Sequence, residues 1–351
     1  MFKSGAARLA ALDLVPTSAR AVLGYYADTG EFDYRSLRLQ QRVESTTEAM
    51  VRDAFAAVEA AIAAEFDVEF VEFSYDTKLV LPAELTLGYL YRHGDDDMRG
   101  EAVTRLVIEA LIDGDMRDAI NDDEFDDFEV DFAITDDDRR RVAEIAQQTL
   151  KDRVEEQFQA YPDSVRAAYD WAVEISERHQ TEDERFRELM AAATDGDEGA
   201  RDRIRETYKF ARFEDPPALF GADEVDLPYL KTQYDRVGVI YDGMIEMYRE
   251  AGLAIEDAFK KSIVFAIIGA QIWLDDVDDY RADRREGQLT PVTAEYLLAD
   301  DAAAAADSVV DISKRYLDLA KDHATAVDST LTGIGAEYIY QSGSPEVLPR
   351  G

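Results

Sequence analysis

The pattern that most constrains this chain is helical spacing with few interruptions. Only nine of its 351 residues are proline, at Pro16, Pro82, Pro162, Pro216, Pro217, Pro228, Pro291, Pro345 and Pro349. Proline breaks a helix because its ring fixes φ and it has no N–H to donate. Between these points apolar residues return every three or four positions, the period of one helix face. The pattern predicts helices over 44–66, 82–92, 100–120, 138–161, 164–179, 182–194 and 199–213. The longest are expected over 230–251, 255–280 and 293–327. Residues 67–81, DVEFVEFSYDTKLVL, alternate in part and are the expected place for any strand. Residues 121–138 are acidic with Phe125, Phe128 and Phe132 interleaved, and read as a loop or insertion. Neither a fixed-period repeat nor a sustained heptad is present. The expectation is an all-α fold, a single-domain bundle of about ten helices over 1–333. A tail over 334–351 should wrap the surface or fray.

Composition narrows the function classes. Apolar residues make up 46% of the chain, enough for a sizeable core, yet the formal net charge is −38, from 76 acidic and 38 basic residues. Disordered acidic chains lack this apolar and aromatic content. The charge therefore reads as the surface of a folded, halophilic protein, where salt screens self-repulsion. Nucleic acid is a poor partner, because no basic face exists to release counterions from a phosphate backbone. Without cysteine there are no disulfides or thiolate metal sites, and His93, His179 and His323 are too scattered for a histidine cluster or a Ser-His-Asp triad. The N-terminus MFKSGAARLAAL lacks a secretory signal. The longest largely apolar run, 263–274, is shorter than the ~20 residues of a bilayer helix. A cytoplasmic protein without an integral membrane segment is expected.

The densest chemistry lies in QIWLDDVDDYRADRREGQLTP, residues 271–291. The apolar helix over 262–274 runs directly into Asp275, Asp276, Asp278 and Asp279. Carboxylates at the end of a buried-looking helix are unfavourable unless a cation neutralises them. Asp275 and Asp279 are i,i+4 neighbours and share a face. Such a pair suits Mg²⁺, which takes oxygen ligands and often brings phosphate with it. Arg281, Arg284 and Arg285 follow within two turns as counter-charges for an anionic substrate. So acidic a chain also carries solvated acidic runs, as at Asp95, Asp96 and Asp97. The abutting apolar helix and an upstream Lys231–Thr232 pair set the 275–279 cluster apart.

Taken together, residues 230–293 resemble the C-terminal half of the trans-isoprenyl diphosphate synthases, all-α enzymes of the class I isoprenoid synthase fold. Lys231 and Thr232 stand where that family has a Lys-Thr pair opening a core helix. Gln271 stands near the family glutamine, and Asp275, Asp276 and Asp279 fill its second Asp-Asp-x-x-Asp motif. The resemblance implies Mg²⁺ held by Asp275, Asp276 and Asp279, with a first acidic motif on a facing helix. It implies Lys231 on the diphosphate, Thr232 and Gln271 near the reacting carbons, and Arg281 and Arg285 as further substrate contacts. The substrate would be an allylic prenyl diphosphate attacked by an alkene such as isopentenyl diphosphate, and the enzyme a homodimer.

The first motif is best matched by LIDGDMRD, residues 111–118, where Asp115 and Asp118 fit the second and last aspartates and Gly114 replaces the first. Asp95, Asp96 and Asp97, followed by Met98 and Arg99, give a second register. The family's N-terminal Gly-Lys-Arg element is missing, and Gly287–Gln288 stands for its Gly-Lys after the second motif. Three alternatives therefore stand beside chain elongation. One is a terpene cyclase-type enzyme that uses a single substrate. A second is a head-to-head condensing enzyme, whose Asp-x-x-x-Asp spacing Asp275 and Asp279 fit. The third is a non-catalytic partner subunit or lipid-binding protein with the same fold.

Overall fold

The computed structural model describes residues 16–30 and 34–351. The N-terminal stretch considered for a leader lies outside the described residues. The fold is all-α, with one two-stranded pairing among the described residues. No described helix is long and apolar enough to cross a membrane. The described residues gather into two compact units, one of Tyr34–Tyr169 with Met244–Ala254, the other of 16–30, Asp170–Gly243 and Ile255–Gly351.

In the first of these units, helix Tyr34–Phe66 buries Val43, Thr47, Met50, Ala54, Val58 and Ile62, a single stripe at steps of three and four. Helix Asp136–Phe158 buries Val142, Ala146, Leu150 and Val154 on an equally regular stripe. Its start is set by a capping box in which Thr135 accepts from the Asp138 N–H and Asp138 accepts from the Thr135 N–H. The expected strand segment contributes Phe73–Ser74, which pairs antiparallel with Glu129–Val130. The acidic stretch is therefore more than a loop. Phe128 is fully buried against Tyr75, with ring centroids 4.9 Å apart, and anchors it.

Helix Asp97–Asn121 carries a buried polar cluster. Glu109 has no exposed surface and accepts two hydrogen bonds from Arg153, at 2.9 and 2.7 Å, and one from Gln157 at 2.8 Å. A buried carboxylate is tolerable only with partners of this kind.

The second unit is built around helices Asp257–Ala270 and Ala302–Ala326. Gly269 lets them approach: a Cβ there would lie 2.8 Å from a Leu317 methyl. Two expectations are corrected in this unit. The helix expected over 293–327 is two, Pro291–Leu298 and Ala302–Ala326. Asp301 ends the continuity by turning extended and capping the Ala304 N–H at 2.8 Å. The tail does not fray at 334, because helix Thr330–Ser342 continues, burying Thr332, Ala336 and Ile339 on one face. Gly333 packs so closely on the Tyr25 ring that a Cβ would collide with it.

Removing one partner of the Glu109 cluster leaves a buried charge. Arg153→Ala should lower the unfolding free energy by about 3 kcal/mol, near the lower end for breaking a buried pair, because Arg153 is itself part-exposed. Arg201→Ala, which breaks the exposed 3.2 Å pair with Glu198, should cost less than ~1 kcal/mol. Denaturant titration of both variants in molar KCl checks the contrast.

Candidate functional site

The apolar helix Asp257–Ala270 does not run unbroken into the aspartates, as the sequence suggested. It widens into a π-turn over Gln271–Asp275, resumes as Asp276–Asp278, breaks at Asp279 and continues as Tyr280–Glu286. A π-turn inserts residues into the helical register and rotates everything after it. Asp276 and Val277 are therefore turned inward and buried, while Asp275 and Asp279 face out. The inward line of carboxylates is Asp276 and the half-buried Asp283, with Asp279 beside them.

Asp276 is 1% exposed. Its Oδ1 accepts from the Arg236 guanidinium at 3.1 Å, and its Oδ2 takes no hydrogen bond. Arg236 comes from a second π-turn, Tyr234–Gly238, which interrupts the long helix expected over 230–251. Burial pushes the Asp276 carboxyl up to about 6, against the pull of Arg236 and of the Gln271 amide and with added repulsion from Asp275. Burial, with Asp276 and Asp279 nearby, pushes Asp283 up to about 7, although Arg236 and Thr290 oppose the rise. Asp279 is also raised, first by burial and then by Asp275 and Asp278. Burial works against the Arg236 charge as well, but Asp276, Tyr208 and Asp275 more than offset it and hold the guanidinium above its ordinary value. One arginine thus faces more negative charge than it can neutralise.

A third π-turn, Arg205–Lys209, completes the surroundings. Its Tyr208 hydroxyl donates to the Leu289 carbonyl at 2.7 Å. Lys209 pairs with the buried Glu295 at 2.6 Å, and the Tyr229 hydroxyl donates to the same carboxylate at 2.5 Å. Tyr229 is buried with φ 66°, a left-handed conformation that is strained for a bulky residue. π-turns and strained residues gather at functional sites more often than elsewhere.

The residues singled out in the sequence separate. Lys231 is part-buried and pairs with Asp235 at 2.5 Å. Thr232 is buried, and its hydroxyl is directed to the Tyr208 and Tyr229 carbonyls, both at 3.2 Å, so it braces the corner that presents Lys231. Gln271 donates to Asp275. Arg281 and Arg285 are exposed, Arg285 being paired with Glu286 at 3.2 Å, and Arg284 reaches the Tyr280 hydroxyl at 3.4 Å. Arg236, Asp235, Asp283, Tyr208 and His179 were not singled out. His179 is buried, and its imidazole is pushed down to about 4 by burial and then by Arg236 and Lys231. Asp283 was legible as the next carboxylate four residues beyond Asp279. Arg236 was not, because only the π-turn aims it at Asp276.

Asp115 and Asp118 belong to the other unit, where they line a pocket of about 270 Å³ with Tyr75, Asp76 and Asp122. The Tyr75 hydroxyl donates to Asp115 at 2.8 Å, and burial raises the Asp115 carboxyl to about 6, countered by that hydrogen bond and reinforced by Asp118. Asp113 turns away to accept from Gln147 at 2.8 Å. The second register is accounted for by helix capping: Asp96 accepts from the Arg99 N–H at 3.0 Å, and Asp97 pairs with Arg42 at 2.9 Å.

No group of three or more histidine, aspartate or glutamate side chains is gathered as a metal cage among the described residues. The donors nevertheless suit a hard cation in kind. Oδ2 of Asp276 lacks a hydrogen-bond donor, and its neighbours hold protons more tightly than free carboxylates do. Mg²⁺ commonly takes one or two carboxylates and fills its shell with water and phosphate oxygens. No family model matches the chain, nor does any curated protein or solved structure.

The raised Asp283 value carries a stability signature. Its folded pKa lies above its unfolded one, so its contribution is present below about pH 4 and lost as pH rises through about 7. Asp283→Asn should leave Tm unchanged at pH 4 and raise it by roughly 1–3 °C at pH 8. Thermal scans at the two pH values check this; an equal shift at both would remove the electrostatic cause.

Proposed function

We propose that this chain is a Mg²⁺-dependent, isoprenyl diphosphate synthase-like transferase that ionises an allylic prenyl diphosphate for attack by an alkene. The observation that carries the reading is Asp276. It is a fully buried carboxylate with one oxygen unpaired, flanked by Asp275, Asp279 and Asp283 and answered by one arginine. Uncompensated negative charge in a desolvated place favours a site that receives a cation.

Asp275, Asp276 and Asp279 are the ligands this reading names, and because Asp275 and Asp279 face outward from the buried Asp276, their side chains would have to turn toward it to share one ion. Bound there, Mg²⁺ would neutralise a diphosphate and make it a better leaving group. Lys231 offers a point charge and Arg236 a planar fork of donors to phosphate oxygens. Thr232 and Tyr208 fix the backbone corner from which Lys231 projects. His179, neutral at physiological pH, adds no competing charge. The buried apolar residues Ile272, Trp273 and Val277, next to the aspartates, exclude water from that side. A homodimer and a requirement for molar salt belong to the same reading.

The test is incubation in molar KCl and Mg²⁺ with labelled geranyl, farnesyl and geranylgeranyl diphosphates, with and without isopentenyl diphosphate. Mg²⁺-dependent release of diphosphate is expected, and longer prenyl diphosphates would identify chain elongation. Hydrocarbon or alcohol formed without isopentenyl diphosphate would move the reading to a cyclase. The double variant Asp275→Asn, Asp279→Asn should lose Mg²⁺-dependent diphosphate binding by about a hundredfold or more, as when two charged ligands are removed. Unchanged binding would end the proposal.

A further inference from the structure

We infer that the C-terminal segment 343–350 is a strap that holds the π-turn Gln271–Asp275 in register, with Trp273 as the positioning residue through which it sets the orientation of Asp276. The inference rests on the reading that Asp276 receives a cation, and adds what keeps that carboxylate turned inward. A π-turn closes wider rings than an α-helix and is rare outside functional sites, so packing must maintain it. A slip of one residue back toward the α register would turn the chain after it by about 100° and carry Asp276 out of contact with Arg236.

Trp273 lies in the middle of the π-turn and is buried. Its indole N–H donates to the Tyr340 carbonyl at 3.0 Å, and its ring stacks on the Tyr340 ring with centroids 5.8 Å apart and planes within 10°. Gly343 closes over the indole nitrogen so tightly that a Cβ would collide with it. The Gly343 backbone is extended, with φ −70° and ψ 154°, open to any residue; this close approach is what needs a glycine. Beyond Gly343 the segment stays against the same broken helix. Its turn Pro345–Val347 packs on Asp276–Asp278. Leu348 is buried in the apolar core that holds Ile272, Trp273, Val277 and Tyr280. The Pro349 carbonyl accepts from the Tyr296 hydroxyl at 2.7 Å, and the Tyr296 ring lies 4.4 Å from that of Tyr280. Arg350 pairs with Asp307 at 2.7 Å and fastens the end. The strap thus meets the helix before, at and after Asp276, and denies the π-turn the rotation that would release the carboxylate.

The test measures Mg²⁺ binding by calorimetry in molar KCl for the full chain and its variants. Gly343→Ala forces the indole from its seat and should weaken Mg²⁺ roughly ten- to a hundredfold, the loss usual when the partner that orients a metal ligand is removed. Gly333→Ala is the control. It strains the other end of the helix Thr330–Ser342, where a Cβ would collide with the Tyr25 ring, and should leave the affinity within about twofold of wild type. A merely loosened fold would weaken both variants alike, and equal losses overturn the strap. If Gly343→Ala does not fold by circular dichroism, Trp273→Phe decides. It keeps an aromatic ring, loses the donor to the Tyr340 carbonyl and should weaken Mg²⁺ roughly three- to tenfold, the net worth of one hydrogen bond; unchanged affinity overturns the strap. If wild type binds Mg²⁺ and Gly343→Ala binds it equally well, the strap is wrong and the cation reading stands. If wild type does not bind Mg²⁺, both fall.

Discussion

The contact on which the site depends is the pair between Arg236 and Asp276. It ties two π-turns of one compact unit together, since Arg236 lies within the first and Asp276 directly follows the second. Asp276 could not be buried without a cationic partner, and Arg236 could not be aimed inward by a regular helix. The same pair leaves the site electrically incomplete. Three further carboxylates stand near one guanidinium, and two of them are held above the ordinary carboxylate range. Evolution tolerates such an arrangement where it has a use, because neutral replacements at these positions would be more stable.

Much of the fold was legible from the spacing of apolar residues. The 43–62 stripe and the 142–154 stripe are regular enough to be read directly, and each is the buried face of one helix. The Thr135 capping box and the strand within 67–81 follow from short-range chemistry. The break at 299–301 was missed because Ala and Leu continue the helical pattern on both sides, and Asp301 ends it by capping the next helix. The helix at 330–342 was missed because Gly343, Pro345, Pro349 and Gly351, all beyond its end, suggested a fraying tail, whereas within it Gly333 admits the Tyr25 ring.

The site was legible in position but not in orientation. Sequence spacing marked Asp275, Asp276, Asp279, Lys231 and Thr232. An ideal helix makes Asp275 and Asp279 the inward pair, and the π-turn at 271–275 turns Asp276 inward in their place. Periodicity has no sign for a π-turn, so Arg236 could not have been assigned from its neighbours. Thr232 and Gln271 were marked as groups near the reacting carbons, and their hydrogen bonds run to backbone carbonyls and to Asp275. Acidity compounded the difficulty: among 76 acidic residues, most carry hydration, and burial rather than sequence distinguishes Asp276.

The central claim is that the Asp276 and Asp283 region holds protons that a divalent cation displaces. Metal binding to protonated carboxylates must release those protons. The most direct measurement is calorimetric titration of Mg²⁺ at pH 6.5 in two buffers of different ionisation enthalpy. The account predicts saturable binding with release of about one proton per ion, from groups whose values lie near 6 and 7. The release should disappear at pH 8.5 and in Asp276→Asn, Asp283→Asn. Binding without proton release at pH 6.5, or no binding at either pH, would contradict it.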